Sequence, residues 1–279
     1  VAAFATNHLR VVKDSAGTVT ASSVQQLGGE ERVAEMARLL SGLPDSETGL
    51  THARELLETA RDQRLLAAHA PATALGINMH LVWAGVARVL HERGDASLDW
   101  VLRDAEAGEL FAFGNSEPGN DLVLWDSLTT VDTVDGGYAF TGTKIFTSLA
   151  PAWTQLGLHG IDTTSPDAPR IVFAFVPRDE ESAGRVVVAD DWDTLGMRAT
   201  QSRTTRLEGA RAPADRVVRR LPPGPSPDPL LFGIFSVFEI LLASVYTGIA
   251  RRAIDVAIET AGNKATGITC ASGWHENFD

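Results

Sequence analysis

The chain contains 279 residues, of which 44% are hydrophobic and 22% charged, as in ordinary globular proteins. Its formal net charge of −12 argues against direct nucleic-acid binding, because phosphate recognition needs clustered Lys and Arg. A single cysteine, Cys270, excludes a disulfide framework and a cysteine-rich metal site, and we expect a cytoplasmic protein without a metal. The chain begins with Val1 and not with Met, so we expect a fragment.

The first 60 residues predict a β-hairpin followed by two helices. HLRVVKD (8–14) and TVTASSVQQL (18–27) are rich in β-formers and are joined by Ser15, Ala16 and Gly17. A helix with apolar residues at helical spacing then ends at Gly42. A second helix is expected from about Thr51 to the residue before Pro71.

Three segments here resemble, in order, the C-terminal tail of the RecN-type DNA-repair ATPases: VAAFATNHLRVVKD, LGGEERVAEMARLLSG and HARELLETA. The resemblance covers residues 1–60 and implies the edge of an ATPase head. No Walker A sequence, GxxxxGK[ST], occurs in the chain, so we expect no ATP hydrolysis by this chain alone. A docking module for such an ATPase is the binding-class hypothesis for the segment.

Residues 61–110 predict helices that lead into a β-rich domain. ATALGINMHLVWAGVARVLHERG has an apolar helical face and ends at Gly94. Met79, His80 and Trp83 could mark a ligand pocket, but core packing is the favoured interpretation. SLDWVLRDAEAGE predicts a further short helix.

Residues 111–220 predict a β-domain. Runs such as LFAFGNS, GGYAFTG, RIVFAFVP and RVVVA are separated by turn residues at short intervals, as an antiparallel barrel or sandwich requires. The fold class expected for the chain is therefore α+β, with a β-barrel or sandwich in the middle, flanking helices and an N-terminal hairpin.

Two motifs in this region, SEPG (116–119) and TGTKIFTS (141–148), resemble the two flavin-facing segments of the acyl-CoA dehydrogenase family. A third motif of the same resemblance, WDTLGMRATQS (192–202), follows them. The resemblance covers about residues 65–261 and implies a bound FAD. It implies flavin contacts in the first segment from Phe113, Asn115 and Ser116. In the second segment it implies contacts from Phe146, where the family often has Trp, and from Ser148, where it often has Thr.

One departure affects the substrate side of the implied site. Where many family members read EPGAGSD, this chain reads EPGNDL, and Asn120 is the nearest polar substitute. For three other polar residues we expect non-catalytic roles. Lys144 is interpreted as a solvated or structural charge, and His159 as a half-exposed strand residue. Arg198 either orders the loop near the flavin or forms a surface salt bridge.

Residues 221–261 contain the Pro-rich connector PPGPSPDP and a long apolar helix that resembles the first helix of the family's C-terminal bundle. The apolar run 230–250 is long enough to span a bilayer. Glu239 lies at its centre, where a carboxylate is costly in hydrocarbon, so a buried bundle helix without a membrane is favoured. Residues 262–279 show no periodicity and are expected to form an irregular tail.

The family's catalytic base is a Glu of the C-terminal bundle, which removes the substrate α-proton while flavin N5 accepts the β-hydride. In most members that Glu lies on helices that this chain lacks. A minority carry it on the helix present here, where the equivalent position is Phe238. Glu239 lies beside it, rotated by about 100°, and is the candidate base, although a structural role is favoured.

The resemblance therefore implies an acyl-CoA dehydrogenase-like flavoprotein that acts on an acyl-CoA thioester and is homo-oligomeric when intact. Because two resemblances meet between residues 60 and 70 inside one predicted helix, we expect a chimeric or incomplete chain with little activity. The alternatives are a reduced-flavin monooxygenase on the same fold and the RecN-like docking module.

Overall fold

The computed structural model describes residues 8–14, 21–42, 44–180, 182 and 184–263. Among the described residues, five helices accompany an eight-stranded sheet, and a separate two-stranded hairpin lies at the N-terminus. The predicted α+β class is confirmed. The predicted hairpin turn at residues 15–17 and most of the predicted irregular tail lie outside the described residues.

The N-terminal segment forms the predicted hairpin and helices. Strands β1 (His8–Asp14) and β2 (Ala21–Leu27) pair antiparallel. Helix α1 (Gly29–Ser41) ends where Gly42 takes a φ of 77° and donates its N–H to the Arg38 carbonyl. Helix α2 (Glu47–His69) begins earlier than predicted, because Ser46 caps it by accepting the Gly49 N–H at 3.3 Å.

Helix α3 (Pro71–Glu92) follows α2 after the single residue Ala70, and α4 (Asp99–Glu106) comes next. Proline is well placed at the start of α3, because its missing N–H would have no partner within the helix. The region in which the two sequence resemblances meet is thus the last part of α2 and the break before α3, without an intervening linker.

The large sheet contains eight strands, here given in chain order: β3 (Phe111–Gly114), β4 (Thr130–Val134), β5 (Gly137–Thr147), β6 (Gln155–Asp162), β7 (Arg170–Pro177), β8 (Val186–Val188), β9 (Arg203–Pro213) and β10 (Val217–Leu221). Their order is β10-β7-β6-β4-β5-β9-β8, with β3 also paired to β6. Most pairs are antiparallel, but β3 and β4 each run parallel to β6.

Successive side chains of the strands point to opposite faces of the sheet, so an apolar core lies on each face. Phe111, Phe113, Phe173 and Phe175 face the helices, whereas Ala112 and its neighbours on the other face form a second apolar cluster. Trp83 of α3 lies against the sheet and donates its indole N–H to the Ala112 carbonyl at 2.9 Å. It fits because residue 157 is glycine: a Cβ there would lie 2.3 Å from the indole.

The long helix α5 (Pro229–Asn263) joins the two halves of the chain. It packs on α3, and its Ile240 enters the apolar cluster formed by α1 and α2. A Cβ at Gly248 would lie 2.2 Å from the Arg64 carbonyl oxygen, so α5 and α2 are in backbone contact.

Two of these helices, α3 and α5, are long and apolar enough to cross a membrane by length and composition. In each, about half of the most apolar stretch is buried within the protein, 56% in α3 and 50% in α5. Because they pack on each other and beside the sheet, both are also explained as core helices of the fold, the role predicted for α5.

Candidate functional site

A cavity of about 410 Å³ lies where the end of β5 meets α3, α5 and the loop after β8. Its described lining is mostly apolar, with a few hydroxyl groups: Leu75, Met79, Phe113, Ser116, Phe146, Ser148, Trp192, Thr194, Gly196, Met197, Ser202, Phe238, Leu242 and Tyr246. Such a cavity suits a flat apolar ligand with polar atoms at its edge.

Aromatic rings form two sides of the cavity. Phe113 of β3 stacks on Phe238 of α5, with ring centroids 5.3 Å apart and planes 20° apart. At the rim, Phe146 meets Trp192 edge to face, with centroids 6.3 Å apart. Phe146 remains 55% exposed, so its face is open to a ligand.

The rim is built from strained backbone. The pairing of β5 with β9 shifts register between Lys144 and Thr147, and inside this bulge Phe146 has a φ of 57°. Met197 and Gln201 on the facing loop also have positive φ, at 57° and 47°. Backbone strain of this kind persists only where the surroundings enforce it, and it is concentrated at functional sites.

Hydrogen bonds hold the two strained segments together. The Leu149 N–H donates to the Thr200 carbonyl at 2.9 Å, and the Ser148 and Ser202 hydroxyls lie 2.8 Å apart. The Ser202 hydroxyl in turn donates to the Thr200 hydroxyl at 2.7 Å. The hydroxyl groups on this side of the cavity therefore have fixed positions.

Behind the cavity, the first two flavin-like motifs are joined by a buried ion pair. The Lys144 ammonium donates to Glu117 Oε1 at 2.6 Å and to the His159 carbonyl at 2.7 Å, and both charged side chains are 0% exposed. The neighbouring backbone is joined as well, because the Ile145 N–H donates to the Ser116 carbonyl at 2.9 Å. Ser116 and the bulge are thereby fixed relative to each other.

Burial alone would raise the pKa of the Glu117 carboxyl, but the Lys144 charge and the hydrogen bonds it accepts hold that pKa well below its usual range. For Lys144, burial lowers the pKa to about 8 despite the opposing effect of Glu117. The structural-charge interpretation of Lys144 agrees with these contacts. Its solvated alternative is wrong, since the side chain is completely enclosed.

His159 is also fully buried, so the prediction of a half-exposed residue is wrong. Its ring stacks on Phe173, and its Nδ1 lies 3.0 Å from Asn115 Oδ1. In the sequence His159 alternates with apolar residues, which predicted that one face of the strand is exposed. In the structure β6 is covered on both faces. Burial and the nearby Lys144 charge lower the pKa of His159 to about 3, so the imidazole is neutral near pH 7.

The residues assigned to the flavin site by resemblance divide into two groups. Phe113, Ser116, Phe146 and Ser148 line the cavity. Asn115 lies behind it, fully buried against His159, and its Nδ2 has no hydrogen-bond partner among the described residues.

Asn120 also lies outside the cavity lining. Its amide donates to Glu117 Oε2 at 2.8 Å and its Oδ1 accepts the Leu122 N–H at 2.9 Å, so it supports the loop around the ion pair. Arg198 forms an exposed salt bridge with Asp193 at 2.8 Å, which agrees with the surface alternative.

On α5, Phe238 faces the cavity and Glu239 is exposed on another side of the helix. Among the described lining residues there is no carboxylate, imidazole or amine. Neither Glu239 nor a lining residue therefore supplies a base at hydrogen-bond distance from a ligand in the cavity.

Several lining residues were not predicted as site residues. Met79 belongs to the core cluster, as the favoured interpretation expected, and it also lines the cavity. Leu242 and Tyr246 follow Phe238 by four and eight residues and so share its helical face, a signal that periodicity could have provided. Trp192 and Thr194 belong to the third motif, which was recognised without individual assignments.

Comparison with known proteins gives two groups of relatives, and no family model matches the chain. A DNA repair protein RecN from Streptomyces coelicolor is 58% identical over 64 residues, which are 23% of this chain and 11% of that protein. An L-evernosamine nitrososynthase from Micromonospora sp. is 33% identical over 123 residues, 44% of this chain and 28% of the relative. A dibenzothiophene monooxygenase from Mycolicibacterium goodii is 33% identical over 175 residues, 59% and 40% of the two chains.

Two solved flavoprotein structures superpose on most of this chain. KijD3, in complex with FMN and dTDP-3-amino-2,3,6-trideoxy-4-keto-3-methyl-D-glucose, superposes with a TM-score of 0.65 at 24% identity over 85% of this chain and 58% of that one. Butyryl-CoA dehydrogenase from Megasphaera elsdenii superposes with a TM-score of 0.61 at 17% identity over 86% and 63%.

Both resemblances found in the sequence are confirmed. The chain spans 11% to 40% of the length of the three curated relatives described. It therefore combines the acyl-CoA dehydrogenase-like fold with a segment similar to RecN.

Proposed function

We propose that the cavity binds the ring system of a flavin and that the intact protein is a reduced-flavin monooxygenase. The observation that carries this proposal is the chemistry of the lining: aromatic rings and hydroxyls without a carboxylate, imidazole or amine among the described residues. Alpha-proton removal from a thioester needs a base beside the substrate, whereas oxygenation by a flavin does not require one there.

The residues present fit a flavin ring. Phe113 and Phe238 supply an apolar face, and Phe146 with Trp192 bounds the open side. Ser202 donates its proton to Thr200, so Ser148 donates to Ser202 and can accept a hydrogen bond from an N–H at the edge of such a ring. Other hydroxyls of the lining, those of Ser116 and Tyr246, can donate to its carbonyl oxygens.

In flavin-dependent oxygenation, the electrons and the activation of dioxygen are the contribution of the bound cofactor. The tasks left to this chain are to hold the ring, to position the substrate against it and to exclude water. The apolar lining and the buried network behind Ser116 serve these tasks. Either FMN or FAD would present the same ring to the cavity, so the proposal specifies a flavin.

Two curated relatives support the oxygenase assignment by their names, dibenzothiophene monooxygenase and L-evernosamine nitrososynthase. Acyl-CoA dehydrogenation with FAD is the second candidate, because the butyryl-CoA dehydrogenase fold superposes over most of this chain. In that case the base would have to come from outside the described lining, since Glu239 points elsewhere. The acyl-CoA ligand and the homo-oligomer belong to this second candidate.

The docking-module hypothesis for the RecN-like segment receives less support. The apolar cluster of α1 and α2 is covered by Ile240 of the same chain, so that surface is not open to an ATPase head. Co-purification of an ATPase head with this chain would restore the hypothesis.

The test is flavin binding followed by turnover. The chain is titrated with reduced FMN and reduced FAD under anaerobic conditions, and oxygen uptake is then measured with dibenzothiophene. In a separate anaerobic experiment the chain is loaded with oxidised FAD and mixed with butyryl-CoA, because only the oxidised flavin can accept a hydride. Phe146→Ala is expected to weaken flavin binding by roughly tenfold, because it removes an exposed ring at the cavity rim. Phe235→Ala, at a phenylalanine of α5 that is 40% exposed and lies outside the cavity lining, is the control.

Binding of reduced flavin with substrate-dependent oxygen uptake supports the oxygenase. Reduction of bound FAD by butyryl-CoA without oxygen would overturn it in favour of dehydrogenation. Failure of both flavins to bind would overturn the assignment of the cavity.

A further inference from the structure

A second cavity, of about 250 Å³, lies between the RecN-like helix α2 and helices α3, α4 and α5. Most of its lining is apolar, including Leu56, Leu81 and Leu241. Its volume exceeds the roughly 150 Å³ that accepts a benzene ring in a protein core. It shares no lining residue with the cavity assigned to the flavin, so the two cavities are separate sites.

This second cavity is called the junction cavity. A group of polar side chains lies at one side of it, and several buried atoms of these side chains lack hydrogen bonds. His52 lines the cavity at 4% exposure, and neither of its ring nitrogens has a hydrogen-bond partner among the described residues. Glu92 is not a lining residue itself but lies directly behind His52: its Oε1 is buried without a hydrogen bond, 4.0 Å from His52 Nδ1 and 3.4 Å from Arg88 Nε. Buried polar atoms normally find partners, so these atoms remain available to a donor that enters the cavity.

The charges around the junction cavity favour a cation. Glu55 and Glu92 each carry a negative charge when ionised, whereas Arg88 is the one cation of the lining among the described residues. Arg88 contacts both carboxylates, at 3.2 Å for Glu55 and 3.4 Å for Glu92. With a neutral His52, the group has one negative charge in excess.

We propose that the junction cavity binds a small primary ammonium ion with an apolar body, such as an arylalkylamine. The ammonium would donate hydrogen bonds to Glu92 and His52, and the hydrocarbon would occupy the space beside Leu81 and Leu241. Two acceptors 4.0 Å apart can be reached by one nitrogen, because it has three N–H bonds.

The protonation states of these groups are compatible with this ligand. Burial lowers the pKa of His52 to about 4, assisted by the Arg88 charge, so a ring nitrogen is free to accept at neutral pH. Burial raises the pKa of Glu92 to about 7; Glu55 adds to this, whereas Arg88 and His91 oppose it. From α4 and α5, the described lining contains only Leu102, Val237 and Leu241, which do not titrate.

The pH dependence follows from Glu92. An alkylammonium stays charged between pH 6 and pH 8 because its own pKa is near ~10. Glu92 loses its proton across this interval, so affinity for the ammonium should increase by about tenfold from pH 6 to pH 8.

The experiment measures binding of benzylamine to the full chain by ligand-observed NMR and calorimetry, with benzyl alcohol and benzoate as probes of the same shape. Benzylamine is expected to bind, and Glu92→Gln is expected to weaken it by more than about tenfold, because it removes a buried charge partner. Glu58→Gln makes the same charge change at an exposed site of α2 outside the lining and should leave binding unchanged. Ala84→Leu should abolish binding by filling the cavity.

Equal binding of benzyl alcohol, or equal affinity of wild type and Glu92→Gln, would overturn the proposal. So would an absence of benzylamine binding at pH 8 to a folded chain. These results do not involve flavin, so they are separate from the test of the oxygenase.

Discussion

Replacing Lys144 by methionine should destabilise the protein strongly, because it leaves the Glu117 carboxylate buried without its cation. Glu117 would keep hydrogen bonds from Ser127, Leu128 and Thr129 but lose the 2.6 Å contact with the ammonium. Breaking a buried ion pair on one side typically costs about 3–5 kcal/mol. For a chain of this size that cost corresponds to a fall in Tm of roughly 10 °C.

The double variant Glu117→Gln with Lys144→Met lacks the ion pair but leaves no buried charge without a partner. Comparing it with the single variant distinguishes the cost of the unpaired charge from the cost of losing the pair. Because both charges are removed, its stability should lie within about 2 kcal/mol of the wild type. The assay is urea unfolding of the three proteins, followed by circular dichroism, with calorimetry for Tm. A single variant as stable as the double variant would refute the reasoning.

The pH dependence of the single variant provides a second check. In the wild type the pKa of Glu117 lies below its unfolded value, so the stabilisation is present above that value and is lost as the pH falls. In Lys144→Met, burial without the cation raises the pKa of Glu117. The carboxylate then takes up a proton as the pH falls, and its unpaired buried charge disappears. The stability difference should therefore narrow from pH 7 to pH 4, and a constant difference would contradict the explanation.

Two other predictions concern glycines at close contacts between elements, and a third concerns the raised pKa of Glu92. Gly157→Ala should destabilise the sheet by about 1–3 kcal/mol in urea unfolding, because its Cβ would overlap the Trp83 indole. Gly248→Ala should separate α5 from α2, where the Cβ would meet the Arg64 carbonyl, and should accelerate proteolysis of α2, whereas an unchanged digestion rate would contradict that contact. Burial raises the pKa of Glu92 from 4.5 to about 7, so wild-type stability should fall as the pH increases from 4.5 to about 7 and then level off; Glu92→Gln should remove this slope in Tm measured across that interval.

Much of the fold could be predicted from the sequence because local signals agree with it. Gly42 ends α1, Pro71 begins α3, and alternation with turn residues marks the strands of the β-domain. Helix α2 begins at Glu47, four residues before its predicted beginning. This early start was missed because the short polar cap, Ser46, is a weak signal beside Pro44.

The candidate site was predicted less completely, because burial depends on tertiary packing. A lysine and a histidine in a strand normally suggest contact with solvent, yet Lys144 and His159 are enclosed because Glu117 and Asn115 from another segment meet them. The motif predicted Phe113 and Ser148 at the cavity, but it could not show that the intervening Asn115 points away from it. That distinction requires the strand directions.

The contact between Gly248 and Arg64 also bears on the order of folding. Residue 248 is synthesised long after residue 64, so the apolar face of α1 and α2 has no cover from Ile240 until nearly the whole described chain has emerged. Contacts this distant in sequence form slowly, and surfaces that wait for them are exposed to aggregation. Nascent chains stopped before α5 should therefore require chaperones to remain in solution, and the RecN-like segment should gain its stable structure last, although it is made first.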